Sequence, residues 1–201
     1  MKTSALWKRC REWPVVDVLQ DEEAQRQWLH VHGCVYPLDG MPWLDREGLL
    51  TMMDVPADKW PEWVVRVNPI TEHMKAFVSD AGDDTPARMP NVTVGLHGDV
   101  LKPVYIGDTE EMVLIDAGAL KPLNDTKKVN EVYVRRIRGS NLVVVKKGFE
   151  LIGCIMRMSV TDGEGAKTLN DMAAHIIGEQ KEVEMRRRER EGEQLKMEDE
   201  V

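Results

Sequence analysis

The chain has 201 residues and a formal net charge of -8, with 42% hydrophobic and 31% charged residues, the proportions of a soluble globular protein with one large core or two small ones. The segment from Met1 to Arg9 lacks the apolar centre of a signal peptide, and no apolar run approaches membrane-spanning length, so neither a secreted nor a membrane protein is expected. The three cysteines, Cys10, Cys34 and Cys154, are far apart with no CxxC pair; they read as free thiols in a reducing cytoplasm, against a disulfide framework.

In chain order, residues 15–19 form a short apolar strand. Asp21 caps a helix running through Glu22, Glu23, Ala24 and Trp28, since acidic residues complement the dipole of a first turn. Residues 30–36 read as one strand, closed by a turn at Pro37-Leu38-Asp39-Gly40. Asp45 caps a second helix whose inner face carries Leu49, Leu50, Met52 and Met53, and which ends on the approach to Pro56. A strand over 63–67 follows, then a short helix over 68–78, where Ile70, Met74 and Phe77 recur at helical spacing.

The stretch 79–90, rich in Asp, Gly and Pro, reads as a polar loop or hinge. Beyond it strands are expected at 92–96, 104–106, 111–115, 131–138, 142–146 and 150–160. Residues 117–123 make a short helical element between them. Gly139-Ser140-Asn141 and Lys147-Gly148 supply the turns of an antiparallel meander. Thr161 and Glu164 stand at capping-box spacing before an apolar stripe from Leu169 to Val183, an amphipathic helix that docks on the sheet or on a partner and runs out into a charged, fraying tail. The expected architecture is therefore α+β: a mixed part over 1–78, the loop at 79–90, an antiparallel region over 91–160 and a C-terminal helix over 161–201.

Charge is distributed unevenly along this plan. Residues 76–126 hold three basic against nine acidic side chains, whereas residues 127–160 hold eight basic against two acidic. Lys127, Lys128, Arg135, Arg136, Arg138, Lys146 and Lys147 fall on or beside strands and form the candidate binding surface, because a polarised face steers charged partners. Two other uses of these cations are edge-strand protection and pairing with the protein's own acidic segment.

Four further patterns bear on chemistry. His30, His32 and Cys34 share parity on the expected strand, and their His-x-His spacing resembles the start of an amidohydrolase metal site; that resemblance implies a metal-dependent hydrolase using His30 and His32, although 201 residues are too few for the family's eight-stranded barrel. Thr161 to Thr168 sits where a phosphate-binding loop would, but Ala166 and Thr161 occupy the two glycine positions that chemistry needs. The stretch from Leu44 to Trp60 resembles the helix-turn-helix of bacterial and phage regulators, with Pro61 interrupting the second helix. Finally, Val113 to Leu120, Val132-Tyr133-Val134, Val143-Val144-Val145 and 151–158 are similar in order to the last subdomain of bacterial DNA sliding clamps, which implies an acidic protein with a basic DNA-facing surface; Arg157 stands where that family has proline.

The expected function is a non-enzymatic binding or accessory protein of bacterial or phage style, cytoplasmic, without cofactor, acting through its charge-polarised sheet on a protein partner. The alternatives are a nucleic-acid-associated protein, clamp-like or regulator-like, and the hydrolase built on His30 and His32. The six tryptophans, from Trp7 to Trp63, all fall in the N-terminal part, as its core or as an interface.

Overall fold

A computed structural model describes residues 1–80, 83–96, 98–109, 111–123 and 131–158, all within the unit Met1–Met158. The helix expected over 161–201, the loop from Thr161 to Thr168, and Lys127 and Lys128 lie outside the described residues. The helices are α1 (Thr3–Glu12), α2 (Arg46–Met52) and α3 (Glu72–Val78). The strands are β1 (Val15–Asp21), β2 (Arg26–Val31), β3 (Cys34–Pro37), β4 (Val64–Pro69), β5 (Asp84–Arg88), β6 (Val94–Leu96), β7 (Asp99–Ile106), β8 (Met112–Asp116), β9 (Glu131–Ile137), β10 (Ser140–Lys147) and β11 (Glu150–Met156). The architecture is α+β: one sheet path ordered β4-β1-β2-β3-β11-β10-β9-β5-β7-β6, with β8 pairing β7. Among the described residues no helix is long and apolar enough to cross a membrane.

Two joints hold this path together. β4 returns to lie parallel to β1, with Asp17 beside Arg66. β3 pairs antiparallel with β11 through Val35 and Cys154, so strands from both ends of the unit share one sheet. Within the stretch read as a polar loop, β5 forms and pairs with both β9 and β7.

The sheet is covered on both faces, which explains why Leu142, Val143, Val144 and Val145 are all buried in β10 where alternation would otherwise be expected. Val143 and Val145 enter one core with Leu6 of α1, Leu49 and Leu50 of α2, Tyr36 and Ile115. Leu142 and Val144 enter a second, smaller core with Leu19, Trp28, Val35, Leu151 and Cys154, against which Met74, Phe77 and Val78 of α3 pack. Gly153, where β10 and β11 shift register, is a required glycine: an added Cβ would stand 2.8 Å from the Leu123 methyls.

Asp45 caps α2 as expected, its Oδ1 accepting from the Gly48 N–H at 2.7 Å, and Thr71 caps α3. Three expected elements are corrected. Asp21 does accept a capping bond, from the Ala24 N–H at 3.0 Å, but the chain turns through Gln25 at φ 51° into β2 and no helix follows. Residues 30–36 are two strands, because His32 and Gly33 both take positive φ, 45° and 68°, and make a two-residue hairpin between Val31 and Cys34. The stretch following α2, where a regulator would place its second helix, is a 3-10 turn, Ala57–Glu62, containing Pro61.

Candidate binding surface

The five described members of the basic set, Arg135, Arg136, Arg138, Lys146 and Lys147, do not form one surface. Arg135 is 3% exposed. Its position in β9 faces Asp84 of β5 across the ladder, and the side chains meet in a fork, Nε and Nη2 donating to the two carboxylate oxygens at 2.6 and 2.9 Å. The other donors close the end of α3: Nη1 reaches the carbonyls of Ala76 and Phe77 at 3.0 and 3.3 Å, and Nη2 that of Ser79 at 2.8 Å. A seven-residue helix leaves its last carbonyls without partners, and a guanidinium is the side chain best shaped to satisfy several at once. The Cys154 thiol also donates to the Phe77 carbonyl, at 2.8 Å. Arg135 is thus the socket of a helix, and it leaves the exposed basic set.

Lys146 belongs to the same socket. Its side chain is 11% exposed, and Nζ lies 2.7 Å from Asp84 and 2.9 Å from the Asp80 carbonyl. Arg136 points to the other face, 67% exposed, with Glu111 at 3.4 Å. Arg138 sits in the β9–β10 turn at φ 50°, and Lys147 ends the same strand β10, roughly 25 Å away at strand rise. The acidic and basic segments therefore meet each other through Arg135, Arg136 and Lys146, the intramolecular pairing that their charges allow.

A different cluster lies on the face of the smaller core, beyond α3. Asp17 of β1 is flanked in register by His30 of β2 and Arg66 of β4, so one carboxylate receives a basic side chain from each neighbouring strand. Arg66 donates through Nε at 2.5 Å and Nη2 at 3.1 Å. His30 Nδ1 lies 3.0 Å from Asp17 Oδ2, the oxygen that also accepts from Arg66 Nη2; toward an ionised carboxylate that nitrogen carries the proton, which leaves Nε2 as the open position of the ring. These three side chains floor a cleft of about 200 Å³ whose walls are Trp13, Pro14, Val15, His32 and Gly33.

The walls follow from the chain's local geometry. Trp13 ends α1, its N–H held by the Cys10 carbonyl, and Pro14 delivers it to the start of β1. The turn that splits residues 30–36 lifts His32 out of the sheet, where its ring stacks on Trp13 with centroids 3.5 Å apart and planes 8° from parallel. Burial, reinforced by the nearby Arg9 charge, holds His32 below the usual imidazole range, so the stacked ring is neutral at pH 7. His30, His32 and Cys34 consequently do not converge: Cys34 is buried on the opposite side, with Arg9 donating to its sulfur at 3.3 Å. Among the described residues no group of three or more His, Cys, Asp or Glu side chains is arranged to hold a metal. The thiols are buried, and burial pushes those of Cys10 and Cys154 up to about 12, far from a reactive thiolate.

The tryptophans divide. Trp28 is buried, Trp7, Trp60 and Trp63 pack partly against the core, and Trp13 and Trp43 are 43% and 47% exposed. Around the cleft the exposure continues: Val15 and Val64 pair in register, both 50% exposed, and Met156, 49% exposed, borders Gly33.

Two carboxylates carry a pH signature. Burial by itself raises Asp84, but hydrogen bonds from Arg135 and Lys146 outweigh it and hold the group below the usual carboxylate range. Asp17 shows the same balance, with burial opposed by Arg66 and His30. A folded-state value below the unfolded one gives stability that is present above the unfolded value and lost as pH falls through the folded one. The urea midpoint, followed by tryptophan fluorescence, is therefore expected to fall steeply below about pH 4, and Asp84→Asn to show a lower midpoint at pH 7 with a shallower acid fall. No family model matches this chain, and neither a curated protein nor a solved structure does.

Proposed function

We propose that this chain is a non-enzymatic binding or accessory protein that engages a protein partner, and that the engaged surface is the cleft of Trp13, Asp17, His30 and Arg66. One observation carries the reading: the exposed Trp13 and Val15 line the same cleft as the Arg66 guanidinium, and the exposed Val64 extends this apolar rim beside Val15. Tryptophan and arginine dominate binding hot spots, and an aromatic that closes a small pocket is the usual anchor. Asp17 holds Arg66 in place, so little side-chain freedom is lost when a partner arrives.

The polarised-sheet reading retains Arg136, Arg138 and Lys147 as its exposed cations, and it yields a distinct result in the same experiment. The wild-type chain, Trp13→Ala with Arg66→Ala, and the triple variant Arg136→Glu, Arg138→Glu, Lys147→Glu are used as baits in quantitative affinity capture from the source cell. The cleft variant is expected to lose the specific partner, a hot-spot side chain being worth roughly 2 kcal/mol or more, while the triple variant retains it. The reverse pattern assigns binding to the meander. Salt-sensitive binding of labelled single- or double-stranded DNA that disappears in the triple variant would instead establish the nucleic-acid reading.

A further inference from the structure

We infer that the partner presents an extended, acidic-and-apolar peptide segment that adds to the sheet along β4; this rests on the binding-protein reading above. β4 ends the strand order, and among the described residues its backbone is used on one side only. In its parallel ladder the Val64 N–H binds the Pro14 carbonyl and the Ile70 N–H the Gln20 carbonyl, with Val64, Arg66 and Asn68 in register with Val15, Asp17 and Leu19. Parallel pairing takes the N–H and C=O of alternate residues, here the even ones. Those of Val65 and Val67 are directed away from β1 and meet no partner among the described residues. The Val65 and Val67 side chains lean on the larger core yet remain half-exposed.

The side chains along this edge define what fits. A strand added to β4 places alternate residues beside Val64 and Arg66 on the cleft face. Val64 continues into Val15 and Trp13, an apolar seat. Arg66 spends Nε and Nη2 on Asp17, which leaves Nη1 with two donors and no partner among the described residues. Asp17 is itself neutralised, so a second carboxylate meets a free donor and no net negative charge. The occupant is thus a protein segment with an apolar and an acidic residue two positions apart. Arg66 and Pro69 keep the edge short and selective, since charge and proline discourage pairing with arbitrary strands.

The test uses fluorescein-labelled synthetic heptapeptides with the whole chain. Each carries valine and glutamate two apart in a threonine background, in both orders, with lysine-for-glutamate controls. Val65→Pro removes an outward N–H while leaving the β1 ladder intact, and Val65→Ala controls for the lost side chain; circular dichroism and the melting temperature confirm that both fold. The glutamate peptide is expected to bind about tenfold more tightly than the lysine peptide. Val65→Pro is expected to weaken it about tenfold relative to Val65→Ala, and Arg66→Glu, which needs no backbone change, to reverse the charge preference. Equal binding by Val65→Pro and Val65→Ala, or an absence of charge preference, overturns the inference. So does a concentration-dependent dimer in sedimentation that Val65→Pro abolishes, because the edge then serves a second copy. Should Trp13→Ala release the captured partner while Val65→Pro does not, the cleft reading stands and the strand-addition inference falls; if neither variant matters, both fall.

Discussion

Arg135→Met is expected to lower the unfolding free energy by about 3–5 kcal/mol, on the order of 10 °C in melting temperature for a chain of this size, read by urea titration and calorimetry. The loss has three sources. Asp84, whose side chain is 4% exposed, would keep its charge with only Lys146 to oppose it. The carbonyls of Ala76 and Ser79 would lose the donor that closes α3. A helix of seven residues has no stability of its own to fall back on. Adding Asp84→Leu to Arg135→Met is expected to cost clearly less than the sum of the two single changes, because each single change strands the other's charge. Any binding defect of an Arg135 variant therefore reports on the fold, which is why the capture experiment spares it.

Trp28→Ala is expected to be as damaging, about 3–5 kcal/mol. Trp28 is 2% exposed and is the largest member of the smaller core, whose other buried members are Leu19, Val35, Val78, Leu142, Val144, Leu151 and Cys154. Its ring also carries the Arg26 guanidinium, 4.5 Å from the centroid, and Arg26 in turn pairs with Asp39 and Asp80. Removing the indole leaves a cavity on the face that α3 covers and unseats a cation that ties two loops together. Native-state hydrogen exchange is expected to show α3 amides opening at lower free energy than those of β10, whose other face rests on the larger core. Trp13→Ala, at an exposed position, is expected to change stability by less than about 1 kcal/mol, so the two tryptophans separate core from surface in one measurement.

Where local chemistry decides structure, the sequence is a good guide. The meander β9–β11 is legible because Gly139 and Gly148 take the positive φ, 80° and 62°, that two-residue turns require. Asp45 announces α2, and the spacing of Ile70, Met74 and Phe77 signals α3, though it begins the helix at 68 where the chain is still in β4. By contrast, α1 has no side-chain cap and no acidic residue in its first turn, and nothing local marks its start. Asp21 makes a helix-type capping bond inside a turn, so the signal is real and its usual sequel absent. Positive φ is uncommon outside glycine, and reading His32 as extended placed His30, His32 and Cys34 on one face. β5 is hidden by Pro86 and by the acidic residues around it. Arg135 leaves the expected basic surface for a different reason: its partners include backbone carbonyls near residue 77, which become visible only once α3 is docked. The cleft depends on the parallel return of β4 to β1, a long-range pairing that no local pattern in Asp17, His30 or Arg66 encodes.

The joint between β3 and β11 also sets an order in time. Cys34 pairs with Ile155, about 120 residues later in the chain. At ribosomal speeds of 5–20 residues per second, β3 waits roughly ten seconds for its neighbour. Throughout that interval β1, β2 and β3 can form as hairpins, while the outer rim of β3 stays open and the smaller core lacks Leu142, Val144, Leu151 and Cys154. The nascent N-terminal part is therefore an unfinished sheet with a sticky margin, and its completion is delayed until almost all of the unit has been synthesised. Truncations that stop before β9 should accumulate in inclusion bodies, because what they lack is the strand that seals an edge made long before.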